Sequence, residues 1–189
     1  MSLTPSTMTE LGTTTPDFQL PDTGGNVVSL ADFAPYRGLL VIFMCNHCPY
    51  VKHIREGLAA FARRNEPRGL AVVGINANDA STHPADSLEK MAEEVQTVGY
   101  TFPYLHDESQ EVAKAFQARC TPDLFLYNED RRLVYRGQFD DSRPGNDIEV
   151  NGEDIQSAVD AVLEGRGVPH DQKSSVGCSI KWKRGNEPY

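Results

Sequence analysis

The spacing of apolar positions changes period several times along this chain, and each change predicts an element. Leu39-Leu40-Val41-Ile42-Phe43-Met44 is an unbroken apolar run of strand length, the pattern of a strand buried on both faces. Directly after Cys48 the period becomes helical, with Val51, Ile54, Leu58 and Phe61 on one face. Residues 70–75 form a second buried strand. Leu88, Met91, Val95 and Val98 then mark a helix that Asp86 and Glu89 are placed to cap as a box and Gly99 to end. Residues 101–105 predict a short strand interrupted by Pro103, and Ser109 a cap for a short helix carrying Val112, Ala113 and Phe116. Residues 124–127 and 133–136 flank the turn Asn128-Glu129-Asp130 as a β-hairpin. Ile155, Ala158, Val159 and Val162 give a last amphipathic helix closed by Gly165. Upstream, two short strands at 17–20 and 27–30 surround the turn Asp22-Thr23-Gly24-Gly25.

This order predicts an α/β fold with a central mixed β-sheet flanked by helices, the hairpin supplying its antiparallel strands. It carries an N-terminal strand extension and a C-terminal tail. Residues 1–15 read as a flexible leader, 16–165 as one domain and 166–189 as a polar tail. Within that tail, Val176, Ile180 and Trp182 are apolar groups unusual for a free end, which predicts docking near Cys178.

Composition narrows the function classes. A chain of 189 residues with 39% hydrophobic and 24% charged residues is an ordinary globule with one core. The net charge of −9 argues against nucleic-acid or anionic-membrane partners, because phosphate binding needs clustered positive charge. Lys181, Lys183 and Arg184 are a short terminal cluster. No apolar run approaches the roughly 18 residues of a membrane span, and the start lacks the basic and apolar regions of a secretory signal. Four cysteines, two of them in a C-x-x-C, are too few for a disulfide-stapled scaffold, so the cytoplasm is the expected compartment.

The candidate chemistry lies in Cys45-Asn46-His47-Cys48. Thiolate is the nucleophile, and Cys45 stands where a buried strand ends and a helix begins, so free amides and the helix dipole would favour an anion there. Pro49 suits the first helical turn, and Cys48 is in reach as a resolving thiol. His47 would add positive charge near Cys45 and make the disulfide more oxidising. A metal site is the rival use of these residues. Cys120 and Cys178 stand apart from the pair, however, and His53 lies roughly 140° around the helix from Cys48. Glu56, His83 and Asp107 form no readable constellation, and no buried charged residue behind Cys48 can be picked out.

With Thr121-Pro122 placed before the strand at 124–126, this strand–Cys45-x-x-Cys48–helix pattern resembles the thioredoxin superfamily. Phe18-Gln19-Leu20-Pro21-Asp22 and the length to Gly165 are similar to its AhpC/TSA, or redoxin, branch. Within that branch, Cys45-Asn46-His47-Cys48-Pro49-Tyr50 and Gly177-Cys178-Ser179-Ile180-Lys181-Trp182 resemble a set of peroxiredoxin-like thioredoxin-family proteins. The resemblance implies a thioredoxin-like fold in which Cys45 attacks and Cys48 resolves. It also implies that Pro122 is cis and that Thr121 presents its backbone to substrate. Peroxiredoxins carry a proline and a Thr or Ser upstream of the peroxidatic cysteine, whereas Gly38 and Ile42 stand there in this chain. Their arginine has no clear counterpart, Arg119 being close but out of register. Cys120, two residues before Pro122, is expected on the rim of the site.

The expected function is a cofactor-free thiol–disulfide oxidoreductase cycling between the Cys45/Cys48 dithiol and its disulfide. Its substrates would be protein or small-molecule thiols and disulfides, with a thioredoxin or glutathione system as reductant. One alternative is a peroxiredoxin-type antioxidant peroxidase using Cys45. Another is a metal-binding or thiol-sensing protein using Cys45, Cys48 and His47. Cys120 and Cys178 are candidate further redox thiols.

Overall fold

The computed structural model describes residues 3–188. At its centre is a five-stranded sheet built from β4 (Gly38–Phe43), β5 (Leu70–Asn76), β6 (Tyr104–His106), β8 (Asp123–Tyr127) and β9 (Leu133–Gly137), in the order β6-β5-β4-β8-β9. β4 pairs with β5, and β5 with β6, in parallel; β8 runs antiparallel to both β4 and β9. The sheet is therefore mixed, as the order of elements predicts, with β8 and β9 as the hairpin. Four α-helices among the described residues complete the layers: α1 (Pro49–Asn65), α2 (Leu88–Val98), α3 (Glu111–Ala115) and α4 (Glu153–Leu163).

The unbroken apolar run of β4 makes sense once both faces of the sheet are seen to be covered. Leu40, Ile42 and Met44 enter one core with Val51, Ile54, Leu58 and Phe61 of α1, Met91 of α2, and Ile155 and Val159 of α4. Leu39, Val41 and Phe43 enter the other with Phe18, Leu20, Phe33, Phe116 and Ile180. Each fully buried aliphatic or aromatic side chain contributes about 1.5–3 kcal/mol relative to exposure. Burial on both faces at the C-terminal end of β4 fixes where the Cys45 segment emerges.

Several expectations at element ends are corrected. The cap of α2 is Ser87, whose hydroxyl accepts from the Lys90 amide. Asp86 is drawn away from capping by partners described below. α3 is preceded by Gln110 in the left-handed region, and Ser109 instead accepts from the Glu111 amide while donating to Asp107. Gly99 ends α2 at φ 76°, as its position suggests.

The N-terminal end of the chain differs most from the sequence reading. Instead of a flexible leader, β1 (Leu3–Pro5) pairs antiparallel with β10 (Val176–Ser179), and β10 pairs with the two-residue β7 (Cys120–Thr121). Met1 and Ser2 of that leader lie outside the described residues. Farther along, Thr14 bridges Arg132 beside β9. The short strands β2 (Gln19–Pro21) and β3 (Val27–Ser29) form the separate N-terminal hairpin. Leader and tail thus complete a second, three-stranded sheet that the apolar pattern alone did not announce. The pattern failed because strands this short carry too few side chains to show a period.

One buried ion pair ties the leader to the hairpin. Arg136 of β9 is wholly buried, lies 3.2 Å from Asp123 of β8 and sits 4.3 Å over the Phe125 ring. Its guanidinium also donates to Gln117 O at 3.0 Å and to Thr9 Oγ1. Burial raises the Asp123 pKa, and Arg136 opposes that rise. Arg136→Met would leave a carboxylate stranded in the core, so we expect a loss of about 3–5 kcal/mol in urea unfolding. Adding Asp123→Asn should recover most of that loss. A single-variant loss within error of zero would show that the pair carries no stability.

Candidate active site

The C-x-x-C lies at the junction of β4 and α1. Cys45 follows the strand by two residues, Cys48 is the N-cap of α1 with extended backbone (φ −65°, ψ 124°), and Pro49 opens the helix. Both thiols are buried, at 1% and 0% exposure. Facing them is the peptide unit of Thr121, and the Thr121–Pro122 bond is cis, in agreement with the resemblance. Thr121 touches both sulfurs: its hydroxyl lies 3.4 Å from Cys45 Sγ, and its carbonyl accepts from Cys48 Sγ at 3.2 Å.

The two thiols also act strongly on each other's ionisation. Cys45, above all, lowers Cys48, to about 4; the Cys178 thiol, the Val51 amide and the Thr121 hydroxyl assist, against the opposing effect of burial. Cys48 in turn pushes Cys45 well above the ordinary thiol range, with burial and the Asp86 charge adding to it. The two ionisations are therefore coupled, and when the pair holds one proton Cys45 is its favoured carrier. This revises the simple helix-dipole expectation, because the first-turn amide serves Cys48 and not Cys45. Two placements of the proton are available. On Cys45 it is donated to a Cys48 thiolate; on Cys48 it is donated to the Thr121 carbonyl, leaving Cys45 as thiolate beside the Thr121 hydroxyl.

His47 is not the lone positive neighbour that the sequence suggested. Its Nδ1 lies 2.5 Å from Oδ2 of Asp86, a wholly buried carboxylate, and its ring stacks on His83 at 4.8 Å between centroids. Asp86 also accepts from the Asn46 amide at 2.8 Å and from Asn78 Nδ2 at 2.9 Å. Asn46 in turn donates to Ala85 O and accepts from Tyr104 Oη. The loop before α2 thus clamps the x-x residues of the motif. Sequence reading missed Asp86 and His83; Asp86 had been assigned a capping role, and nothing local distinguishes a capping aspartate from one aimed at another loop.

Cys120 is corrected as well. Far from a rim, it is wholly buried, bonds weakly to Pro122 O at 3.6 Å, and is pushed far above the usual thiol range by burial and the neighbouring Asp123 charge. Cys178 does reach the site: β10 pairs it with Thr121, the residue that Cys48 also touches. Burial, followed by the neighbouring Cys48 thiol and its charge, raises it to about 12. Pro122 lines a small cleft with Tyr50, His53, Phe139 and Val176, where His53 Nε2 is buried without a hydrogen-bond partner.

Ligand atoms of Cys45, His47 and Asp86 lie within 4.8 Å of one another. Cys48 is not in that group, which alters the proposed metal set of Cys45, Cys48 and His47. The 2.5 Å His47–Asp86 contact is also shorter than the ~3.3 Å separation required by 2.0–2.1 Å tetrahedral zinc bonds. In this arrangement the two groups are partners of each other.

A mixed sheet layered between helices, with a C-x-x-C at a strand–helix junction facing a cis-proline turn, defines a thioredoxin-fold redoxin. The chain belongs to the AhpC/TSA family, whose model matches residues 11–136. It is 55% identical to hypothetical protein SMc02350 from Sinorhizobium meliloti 1021, whose crystal structure superposes with a TM-score of 0.95 over 96% of this chain and 100% of that one. "Putative peroxiredoxin Rv2521" of Mycobacterium tuberculosis strain H37Rv is 33% identical over 148 residues, 70% of this chain and 87% of that protein. "Thiol-disulfide oxidoreductase ResA" of Geobacillus kaustophilus is 26% identical over 127 residues, 67% of this chain and 68% of that protein. No helix among the described residues is long and apolar enough to cross a membrane.

Because the Asp86 charge opposes a thiolate at Cys45, Asp86→Asn should favour the dithiol form and make the couple more oxidising. A shift of about 30 mV, equivalent to ~1.4 kcal/mol, is expected in glutathione equilibration. The pH midpoint of alkylation should fall in parallel. An unchanged or more reducing couple would mean that Asp86 only holds the loop.

Proposed function

We propose that this protein is a thiol–disulfide oxidoreductase in which Cys45 is the nucleophile and Cys48 the resolving thiol. The observation that carries the reading is that both sulfurs rest on Thr121, Cys45 at its hydroxyl and Cys48 at its carbonyl; on this reading the coupled pair shares one proton. Moving that proton from Cys45 to Cys48 creates the nucleophile at Cys45, with the Thr121 hydroxyl beside the new charge and the Thr121 carbonyl accepting from Cys48. The Cys45 thiolate attacks a substrate disulfide, forming a mixed disulfide and expelling one substrate thiolate. Cys48 then passes its proton to the expelled substrate thiolate and attacks Cys45 Sγ, forming the Cys45–Cys48 disulfide and expelling the second substrate thiolate. Two electrons pass from protein to substrate, and a cytoplasmic thioredoxin or glutathione system returns them.

We assign the attack to Cys45 because Cys48, equally buried, is held by more partners. Cys48 is engaged at once by Thr121, Cys178, Cys45 and the first turn of α1, whereas Cys45 has Thr121 and Cys48 beside it. Hydroperoxide reduction is supported less well, despite the peroxiredoxin name of one relative. Ile42 is buried within β4, and Gly38 lies at the far end of that strand, about 20 Å away by strand rise. Neither offers a hydroxyl to a peroxide at Cys45.

Trapping tests the assignment. Cys48→Ser should accumulate a mixed disulfide with a model disulfide substrate at Cys45, while Cys45→Ser should lose insulin-disulfide reduction. Stable adducts found only on Cys48 of Cys45→Ser would reverse the two roles. Absence of a Cys45–Cys48 disulfide in the oxidised wild type would end the reading.

A further inference from the structure

The edge of β7 offers an interaction that the two-cysteine cycle does not use. An unpaired strand edge beside a reactive thiol is where an extended peptide adds by main-chain pairing, and the resemblance assigned that task to the Thr121 backbone. In this structure the edge is already filled by the chain's own β10, with Cys178 opposite Thr121 and Ser179 opposite Cys120. The fit is close: a Cβ on Gly177 would stand 2.0 Å from the Thr121 carbonyl oxygen. Only glycine allows the tail to lie so close to the carbonyl that accepts from Cys48.

The tail is held at many points. Ile180 N donates to Arg119 O at 3.0 Å, Lys181 N to Asn78 Oδ1 at 2.8 Å, and Lys183 N to Gln110 Oε1 at 2.8 Å. Ile180 is buried in the second core, and Trp182 packs against it. On its other side, β10 is covered by β1. Cys178 therefore occupies the place at which a bound peptide would present its own cysteine, opposite the residue whose carbonyl accepts from Cys48, and the two thiols act on each other's ionisation.

We infer that Cys178 is a third redox thiol, which accepts the disulfide from the Cys45–Cys48 pair by exchange at Cys48. This step rests on the proposed dithiol cycle. Cys178, deprotonated, attacks Cys48 Sγ of the Cys45–Cys48 disulfide; the Cys48–Cys178 bond forms and the Cys45–Cys48 bond breaks. Cys45 leaves as thiolate and takes up the proton given up by Cys178, so no external oxidant or reductant is needed. Exchange frees Cys45 for a second encounter while the oxidising equivalent stays on the chain. Disulfide formation also removes the Cys48 thiol and its charge, two of the influences that hold Cys178 protonated in the dithiol state.

The test oxidises full-length Cys45→Ser protein with diamide, blocks remaining thiols with N-ethylmaleimide and maps the peptides by mass spectrometry. A Cys48–Cys178 linked peptide is expected. Introducing Gly177→Ala into the same background should displace β10 and lower the yield of that peptide about fivefold or more, the effect of ~1 kcal/mol of undocking. A second arm equilibrates wild type with glutathione buffers, where both Cys45–Cys48 and Cys48–Cys178 isomers should be found. If wild type forms the Cys45–Cys48 bond but Cys178 is alkylated throughout in Cys45→Ser, the third-thiol role is overturned and the dithiol cycle stands. If wild type forms no Cys45–Cys48 bond, the cycle fails and the exchange fails with it.

Discussion

The peptide unit of Thr121 is the contact on which the working arrangement depends. Its carbonyl accepts from Cys48, its hydroxyl meets Cys45, and its backbone pairs with β10. Few positions in a fold serve two sulfurs and a strand edge together. Because Thr121 ends β7 two residues before the buried strand β8, its place is set by the same sheet that sets the end of β4. Sheet register, and not local flexibility, therefore fixes the separation between the sulfurs and their acceptor. The sulfur pair can share a proton because neither member is free to turn to water.

A second layer of control comes from the loop between β5 and α2. Asp86 holds the Asn46 amide and the His47 ring while its charge bears on Cys45. A buried polar group is costly unless hydrogen-bonded, and here Asn46, His47 and Asn78 are the partners of Asp86. The motif is thus gripped from two directions: Thr121 on the sulfur side, and Asp86 on the side of the intervening residues. His47 and Asp86 form one hydrogen-bonded pair, and of the two it is the Asp86 charge that bears on Cys45.

Much of this was legible in the sequence, for identifiable reasons. The run at 39–44 and the helical spacing after Cys48 carry strong period signals, so the strand–motif–helix unit could be read directly. The hairpin at 124–136 was marked by turn chemistry, and the apolar residues around Cys178 pointed to a docked tail. Asp86 escaped because its partners lie some forty positions upstream, at Asn46 and His47, and a carboxylate before a helix has an equally good local use. The second sheet escaped because β1, β7 and β10 are two to four residues long. Cys120 was misplaced because proximity in sequence to Pro122 says nothing about which side of the chain faces solvent.

The most direct test of the shared proton is the pH dependence of the Cys45–Cys48 reduction potential. If the reduced pair binds one proton across neutral pH, reduction takes up two electrons and one proton, and the potential falls by about 30 mV per pH unit. This slope is expected between the pKa of about 4 that marks Cys48 and the raised ionisation of Cys45. A slope of about 59 mV per unit through neutrality would mean that both thiols are protonated, and would contradict the account.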